Sequence, residues 1–291
     1  MMRLHRFACL VFCCGLLLNM LQICSAQSPP LTSDESFPAF EHWKTLVIAG
    51  DSAGLKLLYS TNPVAQVATA SGTVDIEADV RFWISLKART LKADIVQNDS
   101  PKPGTKRVIF QAEVQSAAAE DKTYYITDAQ VWQQQGQDWR LVVTKRTEAT
   151  RLRQPVTDKK IYDADADAQA EIKEALAKAG KDHKRLLIVF GANWCYDCHV
   201  LDLAFERSDI APVLATNFEL VHVDIGQGDR NQDLMQKYEV PADRGIPAIA
   251  VLDSSGKLLY SQQKGEFEKA RSLAPEDVLE VLNKWKPEGK S

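Results

Sequence analysis

A pair of cysteines three residues apart constrains the fold of this chain more than any other feature. Cys195 and Cys198 lie in the stretch 192–199, directly after the apolar run 186–190 and directly before a helical pattern. A strand that delivers a Cys-x-x-Cys pair to the first turn of a helix is the arrangement of a thiol–disulfide exchange site. Residues i and i+3 of a helix share one face, at a separation that a disulfide spans. The pair therefore predicts redox chemistry.

The position of each cysteine on the helix predicts its role. Cys195 is expected at the helix N-terminus, where unpaired backbone N–H groups and the helix dipole favour a thiolate. We therefore expect Cys195 to be exposed, to have a low pKa and to act as the nucleophile on a partner disulfide. Cys198, one turn further in and more buried, is expected to resolve the mixed disulfide.

The first 26 residues predict an export signal. Arg3 and Arg6 precede an apolar run over residues 10–23, and small residues then lead to a cleavage site after Ala26. Residues 27–35 are expected to form a disordered tail. The mature protein is therefore expected to be exported, either to the periplasm or out of the cell.

Two other interpretations of the N-terminus stay open. An uncleaved membrane anchor is one, although the apolar run is shorter than the roughly 20 residues that a spanning helix needs. A lipid anchor on Cys24 is the other, with the protein facing the periplasm.

The cysteine count supports a working redox pair. Four of the six cysteines lie in the expected signal, which leaves Cys195 and Cys198 as the thiols of the mature chain. Disulfides persist in an oxidising compartment, and a single close pair fits redox work better than a stapled scaffold. The chain has 35 basic and 39 acidic residues and a net charge of −4, which gives no indication of a nucleic-acid partner.

Residues 36–148 predict an α+β domain in which helices cover a curved antiparallel sheet. Helical periodicity comes first, and Asp51 or Ser52 and then Asp75 are expected to cap the second and third helices. The period then changes to two in four segments, 91–97, 106–116, 123–134 and 138–146. Helices followed by an antiparallel meander predict this layered architecture.

The order of these elements and the closing stretch 131–141, VWQQQGQDWRL, resemble the nuclear-transport-factor-2-like (SnoaL-like) superfamily. The resemblance implies a pocket or an interface but not which of the two, so the domain is expected to bind a ligand or partner, or to dimerise. Asp75, Asp79, Arg81 and Tyr125 are candidates to face a pocket, and the interpretation as solvated surface groups is favoured.

The remaining chain predicts a second domain of the α/β class. Residues 149–160 are polar and contain Pro155, and we place a linker there. In residues 161–291, a helix over 166–179 that stops at Gly180 precedes alternating strands and helices. The expected strands are 186–190, 218–225, 248–252 and 258–260, and the closing helix is 275–285. This order predicts a mixed central sheet with helices on both faces.

The motif Trp194-Cys195-Tyr196-Asp197-Cys198, with Arg244-Gly245-Ile246-Pro247-Ala248 downstream, resembles the thioredoxin superfamily over residues 160–288. The resemblance implies that Trp194 packs beside the site and that the Ile246–Pro247 bond is cis, with the backbone of residue 246 placed to pair with a substrate strand. It implies a thiol–disulfide oxidoreductase without a cofactor other than its own disulfide. Its partners would be protein disulfides and an upstream electron donor.

Two positions depart from the thioredoxin pattern. The buried Asp usual in the family falls on Val189, which leaves Asp202 or a water as the proton acceptor for Cys198. Asp197 lies between the cysteines, and a carboxylate there disfavours a thiolate by like-charge repulsion. A less stabilised thiolate makes a less oxidising couple, so we expect a reductant or isomerase, although a protonated His199 would act in the opposite direction.

Metal binding is the alternative use of the cysteine pair. Cys195, Cys198 and His199 have donor atoms suited to Cu(I), but no second motif completes a zinc site, so no metal site is expected. Asp163, Asp165 and Asp167 are interpreted as an acidic helix N-terminus rather than a calcium loop.

The alternative function belongs to another class. It is a non-enzymatic exported binding protein in which the N-terminal domain binds a ligand or partner. The cysteine pair would then be structural or would hold a soft metal.

Overall fold

The computed structural model describes residues 37–118, 122–155 and 159–288, which lie in one compact unit, Ser33–Ser291. The expected signal over 1–26 and the expected tail over 27–35 fall outside the described residues. Among the helices of these three ranges, none combines the length and apolar character that crossing a membrane requires.

Three helices open the fold, and side-chain caps start two of them. They are α1 (Pro38–Ala49), α2 (Ser52–Leu57) and α3 (Ile76–Ser85). The Asp51 carboxylate accepts the Gly54 N–H at 2.8 Å, and the Asp75 carboxylate accepts the Ala78 N–H at 2.6 Å. Asp51 and Asp75 thus satisfy N–H groups that have no partner inside the helix, as the sequence predicted.

Six strands form the first sheet. They are β1 (Gln66–Thr69), β2 (Gly72–Val74), β3 (Ala88–Asp99), β4 (Thr105–Ser116), β5 (Thr123–Gln135) and β6 (Asp138–Arg146). Their order is β2-β1-β6-β5-β4-β3, and the meander from β3 to β6 is antiparallel as predicted. The α+β class is confirmed, with one difference in the sheet. The chain before α3 forms β1, which lies beside β6 at the edge of the meander. β1 and β6 pair in parallel.

Large aromatic side chains form the core between these helices and the sheet. Trp43 of α1, Trp83 of α3, and Phe110 and Trp132 of the sheet are almost completely buried. The rings of Trp43 and Trp83 meet edge to face with centroids 4.8 Å apart, a favoured geometry for aromatic pairs. The helices are therefore anchored to one face of the sheet by aromatic packing.

The second half of the chain alternates helices and strands. Its elements are α4 (Ala168–Asp182), β7 (Arg185–Gly191), α5 (Tyr196–Phe205), α6 (Ala211–Asn217), β8 (Phe218–Asp224), α7 (Gln232–Lys237), β9 (Ala248–Leu252), β10 (Leu258–Ser261) and α8 (Pro275–Trp285). The sheet order is β10-β9-β7-β8, with β7 parallel to β8 and antiparallel to β9. The predicted α/β class with a mixed central sheet is confirmed.

Strand β7 is buried on both faces of this sheet. Leu187 and Val189 join the core that includes α5 and α8, whereas Leu186, Ile188 and Phe190 join the core that includes α4 and α7. Successive side chains of a strand point to opposite faces, so a strand covered on both sides is apolar throughout. The run 186–190 is therefore a continuous apolar stretch that ends beside the cysteine pair.

Helix α4 does not stop at Gly180. It continues to Asp182, and His183 supplies the left-handed residue after it with φ 56°. The expectation at Gly180 was wrong because the left-handed residue that ends the helix is His183, whose backbone N–H donates to the Ala179 carbonyl. Two short helices, α6 and α7, were also not predicted.

The polar segment expected as a linker is partly packed. Leu152 is fully buried in the core beneath α5 and α8. The Gln154 carbonyl accepts a hydrogen bond from the Gln111 side chain of β4 at 2.7 Å, and Arg153 Nε donates to Gln111 Oε1 at 3.0 Å. Residues 150–154 therefore contact both halves of the chain.

Candidate active site

A disulfide joins Cys195 and Cys198 at the start of α5. The two Cα atoms are 5.3 Å apart, and Cys195 is the N-cap of the helix. The Cys198 backbone N–H donates to Cys195 Sγ at 3.1 Å. An N–H at a helix N-terminus stabilises negative charge, so the same contact favours a Cys195 thiolate when the disulfide is open.

Cys195 is more buried than its sequence position predicted. Its exposed fraction is 5%, and that of Cys198 is 1%. Tyr162 forms one buried cluster with both cysteines, with Ile161 and Ile246 at the border of this cluster. The difference arises because residues far along the chain cover the helix N-terminus, which a local pattern does not reveal.

The loop before β9 lies directly beside Cys195. The Ile246–Pro247 peptide bond is cis, and Pro247 is buried. Cys195 Sγ lies 3.6 Å from the Ile246 carbonyl oxygen. The fold therefore brings Ile246 and Pro247 to the cysteine pair from 51 residues further along the chain.

Two aromatic rings next to the disulfide are exposed. Trp194 has an exposed fraction of 58%, and its Nε1 donates to the Gly226 carbonyl at 2.8 Å. Tyr196 has an exposed fraction of 39%, and its hydroxyl donates to Gln154 Oε1 at 2.8 Å. Each ring is held at its polar end while its apolar surface faces solvent. Such a surface suits contact with another protein.

The Asp197 carboxylate is buried and paired with Arg271. The Arg271 backbone N–H donates to Asp197 Oδ1 at 2.8 Å, and its guanidinium Nε donates at 3.0 Å. Hydrogen bonding to Asp197 raises the pKa of Arg271 above its ordinary value. The expected repulsion between Asp197 and a thiolate is therefore offset, a correction that the sequence could not supply because Arg271 is 74 residues away.

The residues first considered as proton partners of the site are engaged elsewhere. His199 is buried, and its Nε2 lies 2.7 Å from the Asn193 carbonyl oxygen. Asp202 Oδ2 accepts from Lys159 Nζ at 2.7 Å, while Oδ1 lies 3.8 Å from His222 Nε2. Burial lowers the pKa of His222, and the Asp202 charge opposes that shift.

The four residues of the N-terminal domain that were candidates to face a pocket divide into two pairs. Asp75 caps α3, and Arg81 is exposed. Asp79 is fully buried, and Tyr125 is largely buried. The interpretation as surface groups was wrong for Asp79 and Tyr125, because the sheet and its neighbouring segments enclose them.

Two of the three aspartates before α4 accept backbone N–H groups. Asp167 caps the helix by accepting the Ala170 N–H at 3.0 Å, and Asp163 accepts the Asp165 N–H at 2.9 Å. Within the described ranges, no group of three His, Cys, Asp or Glu side chains is arranged to hold a metal ion.

Comparisons with known proteins concern both halves of the chain. A disulphide isomerase from Xylella fastidiosa Temecula1 is 39% identical, and the match covers 44% of this chain and 98% of that protein with a TM-score of 0.42. The N-terminal part is similar to NTF2-like proteins. A putative dehydratase of that family from Streptomyces avermitilis is 12% identical, with coverage of 38% and 91% and a TM-score of 0.32. An NTF2-like protein of unknown function from Shewanella oneidensis is 8% identical, with coverage of 38% and 94% and a TM-score of 0.32.

The family comparison agrees with the fold of the second half. No curated protein matches the chain. Residues 167–254 match the model of a family described as Thioredoxin-like, and this range contains the Cys195–Cys198 disulfide. Given this match and the 39% identity to an isomerase that is covered over 98% of its length, the chain belongs to the thioredoxin-like family.

Proposed function

We propose that this protein is a thiol–disulfide oxidoreductase that reduces or isomerises disulfides in other proteins. The observation that carries the proposal is the Cys195–Cys198 disulfide at the N-terminus of α5, where the Cys198 N–H donates to Cys195 Sγ at 3.1 Å. This arrangement favours the thiolate that disulfide exchange requires.

The reaction follows two exchange steps. The Cys195 thiolate attacks one sulfur of a substrate disulfide, and the electron pair of the broken bond leaves on the other substrate sulfur. The Cys198 thiolate then attacks Cys195 Sγ, which releases the second substrate sulfur and restores the Cys195–Cys198 disulfide. The substrate gains two electrons, and an upstream electron donor must return the pair to the dithiol form.

The surface around the disulfide supports a polypeptide substrate. The exposed rings of Trp194 and Tyr196 flank the pair, and the Ile246 carbonyl oxygen lies 3.6 Å from Cys195 Sγ. A cleft of about 480 Å³ borders Tyr196 and Arg271. We propose that a substrate segment pairs with the backbone at Ile246 and lies against these rings.

The direction of electron flow is proposed as reduction or isomerisation. The Asp197 charge no longer supports this direction, since Arg271 pairs with it. Support comes instead from the relative at 39% identity, which is described as a disulphide isomerase.

Export to the periplasm or beyond is proposed from residues 1–26. Binding of a partner, or dimerisation, is proposed for the N-terminal domain.

Reduction of insulin by the full chain tests the proposal. We expect turnover with a thiol donor, and loss of turnover in both Cys195→Ser and Cys198→Ser. The two variants serve as controls for each other, because only Cys198→Ser retains the nucleophile and accumulates a mixed disulfide. An intact parent protein without turnover would favour the non-enzymatic binding function.

A further inference from the structure

Tyr162 is a buried tyrosine that packs against the redox pair. Its exposed fraction is 2%, and it forms one buried cluster with Cys195 and Cys198. Among the described residues its hydroxyl has no hydrogen-bond partner. A buried hydroxyl without a partner is unfavourable, so a partner that forms in another redox state would change the energetics of the site.

The Tyr162 hydroxyl and the Cys198 sulfur lie over the same residue, Gly191 at the end of β7. A Cβ on Gly191 would be 2.2 Å from Tyr162 Oη and 2.9 Å from Cys198 Sγ. Both distances are too short for any side chain, so glycine alone allows the two groups to approach. The hydroxyl and the sulfur therefore face the same small volume.

Asn193 holds Tyr162 in this place. Its Oδ1 accepts the backbone N–H groups of Ile161 at 2.8 Å and Tyr162 at 3.0 Å, and its Nδ2 donates to the Tyr162 carbonyl at 2.7 Å. Asn193 lies two residues before Cys195. The loop that carries the cysteine pair thus fixes the backbone of the tyrosine.

The hydroxyl is a donor rather than a base. Burial raises the pKa of Tyr162 well above its ordinary value, and the charges of Asp202 and Asp224 raise it further. The phenol therefore stays protonated at neutral pH. A thiolate accepts a hydrogen bond far more strongly than a neutral sulfur does, because the acceptor is charged.

We propose that Tyr162 is a catalytic residue that donates a hydrogen bond to the Cys198 sulfur when the disulfide is open, and so favours the thiolate that resolves the mixed disulfide. This inference rests on the proposed function. In the resolving step, the Cys198 thiol releases its proton to solvent and its thiolate attacks Cys195 Sγ. The Cys195–Cys198 bond forms as the bond to the substrate sulfur breaks. The substrate sulfur leaves with the electron pair and takes a proton from solvent, while Tyr162 keeps its own proton.

Other titratable groups face Tyr162 and contribute to the pH dependence of its hydroxyl. Asp202 lies on α5, Asp224 lies on β8, and the His222 ring of β8 meets the Tyr162 ring edge to face with centroids 5.3 Å apart. Lys159 pairs with Asp202. A variant that changes the Tyr162 hydroxyl alone leaves all four of these groups in place.

The experiment compares Tyr162→Phe with the parent protein in two settings. In a Cys195→Ser background, the ¹³Cβ chemical shift of Cys198 is followed across pH. In Tyr162→Phe, we expect the pH midpoint of the Cys198 titration to rise by about one unit, which is a roughly tenfold loss of thiolate at a given pH. In the chain with both cysteines, resolution of the mixed disulfide should slow about tenfold, with its formation unchanged.

Two further variants complete the design. Tyr238→Phe removes the hydroxyl of another buried tyrosine, away from the contacts of the disulfide, and should leave the midpoint unchanged. A fluorotyrosine at position 162 is a stronger donor of the same shape and should lower the midpoint. It keeps the test decisive if Tyr162→Phe does not fold.

The outcomes separate this inference from the proposed function. An unchanged Cys198 midpoint in both position-162 variants, in a protein that reduces insulin, would overturn the role of Tyr162 and leave the oxidoreductase proposal standing. A parent protein that reduces no disulfide would overturn the proposed function, and the role of Tyr162 in resolution would fall with it. The Cys198 titration identifies the hydrogen bond without any activity measurement.

Discussion

Arg271 contacts both residues between the cysteines. Its guanidinium pairs with Asp197, and its Cζ lies 4.8 Å from the centre of the Tyr196 ring. An unpaired carboxylate one residue before Cys198 would oppose a thiolate at either sulfur. Arg271 therefore offsets the Asp197 charge beside the pair, although it comes from a 3₁₀ turn near the C-terminus, Ala270–Ser272.

Replacing Arg271 by Gln should make the couple more reducing. The Asp197 charge would then act unopposed on the thiolate, and a tenfold change in the exchange equilibrium corresponds to about 30 mV. Equilibration with glutathione measures the potential. Arg207→Gln is the matched control, because Arg207 also pairs with an aspartate, Asp209.

The double variant Asp197→Asn/Arg271→Gln provides the second comparison for this prediction. Removing the carboxylate together with its partner should return the potential toward that of the parent protein. If Arg271→Gln has the parental potential, the ion pair does not tune the disulfide.

At the scale of elements, α3 is joined to the first sheet by a buried polar network. Asp79 of α3 accepts from Arg146 Nε of β6 at 2.6 Å and from the Tyr59 hydroxyl at 2.7 Å. Asp128 of β5 accepts from Thr144 Oγ1 at 2.7 Å. Removing one member of a buried ion pair leaves an uncompensated charge, so these contacts specify how the helix sits on the sheet.

Asp128 should impose a pH dependence on stability. Burial, and then the Asp79 charge, raise the pKa of Asp128 to about 6. The folded state then holds this proton to higher pH than the unfolded state, whose Asp pKa is about 3.9. The contribution of Asp128 to the free energy of unfolding is therefore largest when the pH is below about 4. As the pH rises from there through about 6, the protein loses about 3 kcal/mol of this contribution.

Urea unfolding of Asp128→Asn between acid and neutral pH tests whether the Asp128 contribution to stability falls as the pH rises. Relative to the parent protein, the variant should gain stability as pH rises, because it has no proton to lose. Asp138→Asn, at an exposed position of the same sheet, should keep the parental pH dependence. A constant difference between Asp128→Asn and the parent protein would contradict the assignment.

At the scale of the whole molecule, the segment over 150–154 packs into the core of the second sheet and hydrogen-bonds to the first sheet. Leu152 enters the core of the second sheet, and Gln154 links the first sheet to the Tyr196 hydroxyl. The chain of contacts from Gln111 through Gln154 to Tyr196 connects the N-terminal domain with one of the two residues between the cysteines.

Leu152→Ala should destabilise the second domain by about 2–5 kcal/mol, because it removes a fully buried leucine and leaves a cavity. Denaturant unfolding followed at the tryptophans measures the loss. Leu57→Ala is the control, since Leu57 of α2 is 71% exposed and its loss should change stability by less than about 0.5 kcal/mol.

Two fragments extend this prediction to the proposed domain boundary. A fragment over 149–291 keeps Leu152, whereas a fragment over 159–291 lacks it. We expect the longer fragment to be the more stable. Equal stability would show that Leu152 adds nothing to the second core.

Most elements were predictable because their signals are local. The period of two in the meander, the apolar run before Cys195, and the caps at Asp51 and Asp75 each involve residues close together in sequence. The parallel pairing of β1 with β6 and the end of α4 beyond Gly180 were not predictable. The β1–β6 pairing joins segments that are far apart in the chain. Helix α4 ends at His183, although glycine is the residue that usually takes the left-handed conformation after a helix.

The sequence by itself determined where the cysteine pair sits in the fold, because a strand, two cysteines and a helix follow one another along the chain. The tertiary structure alone decided the surroundings of the sulfurs. It brought Arg271 to Asp197, Ile246 to Cys195 and the Tyr162 hydroxyl over Gly191. The reason is physical, since the charge state of a thiol depends on burial and on neighbours through space, and neither is encoded in the spacing of residues along the chain.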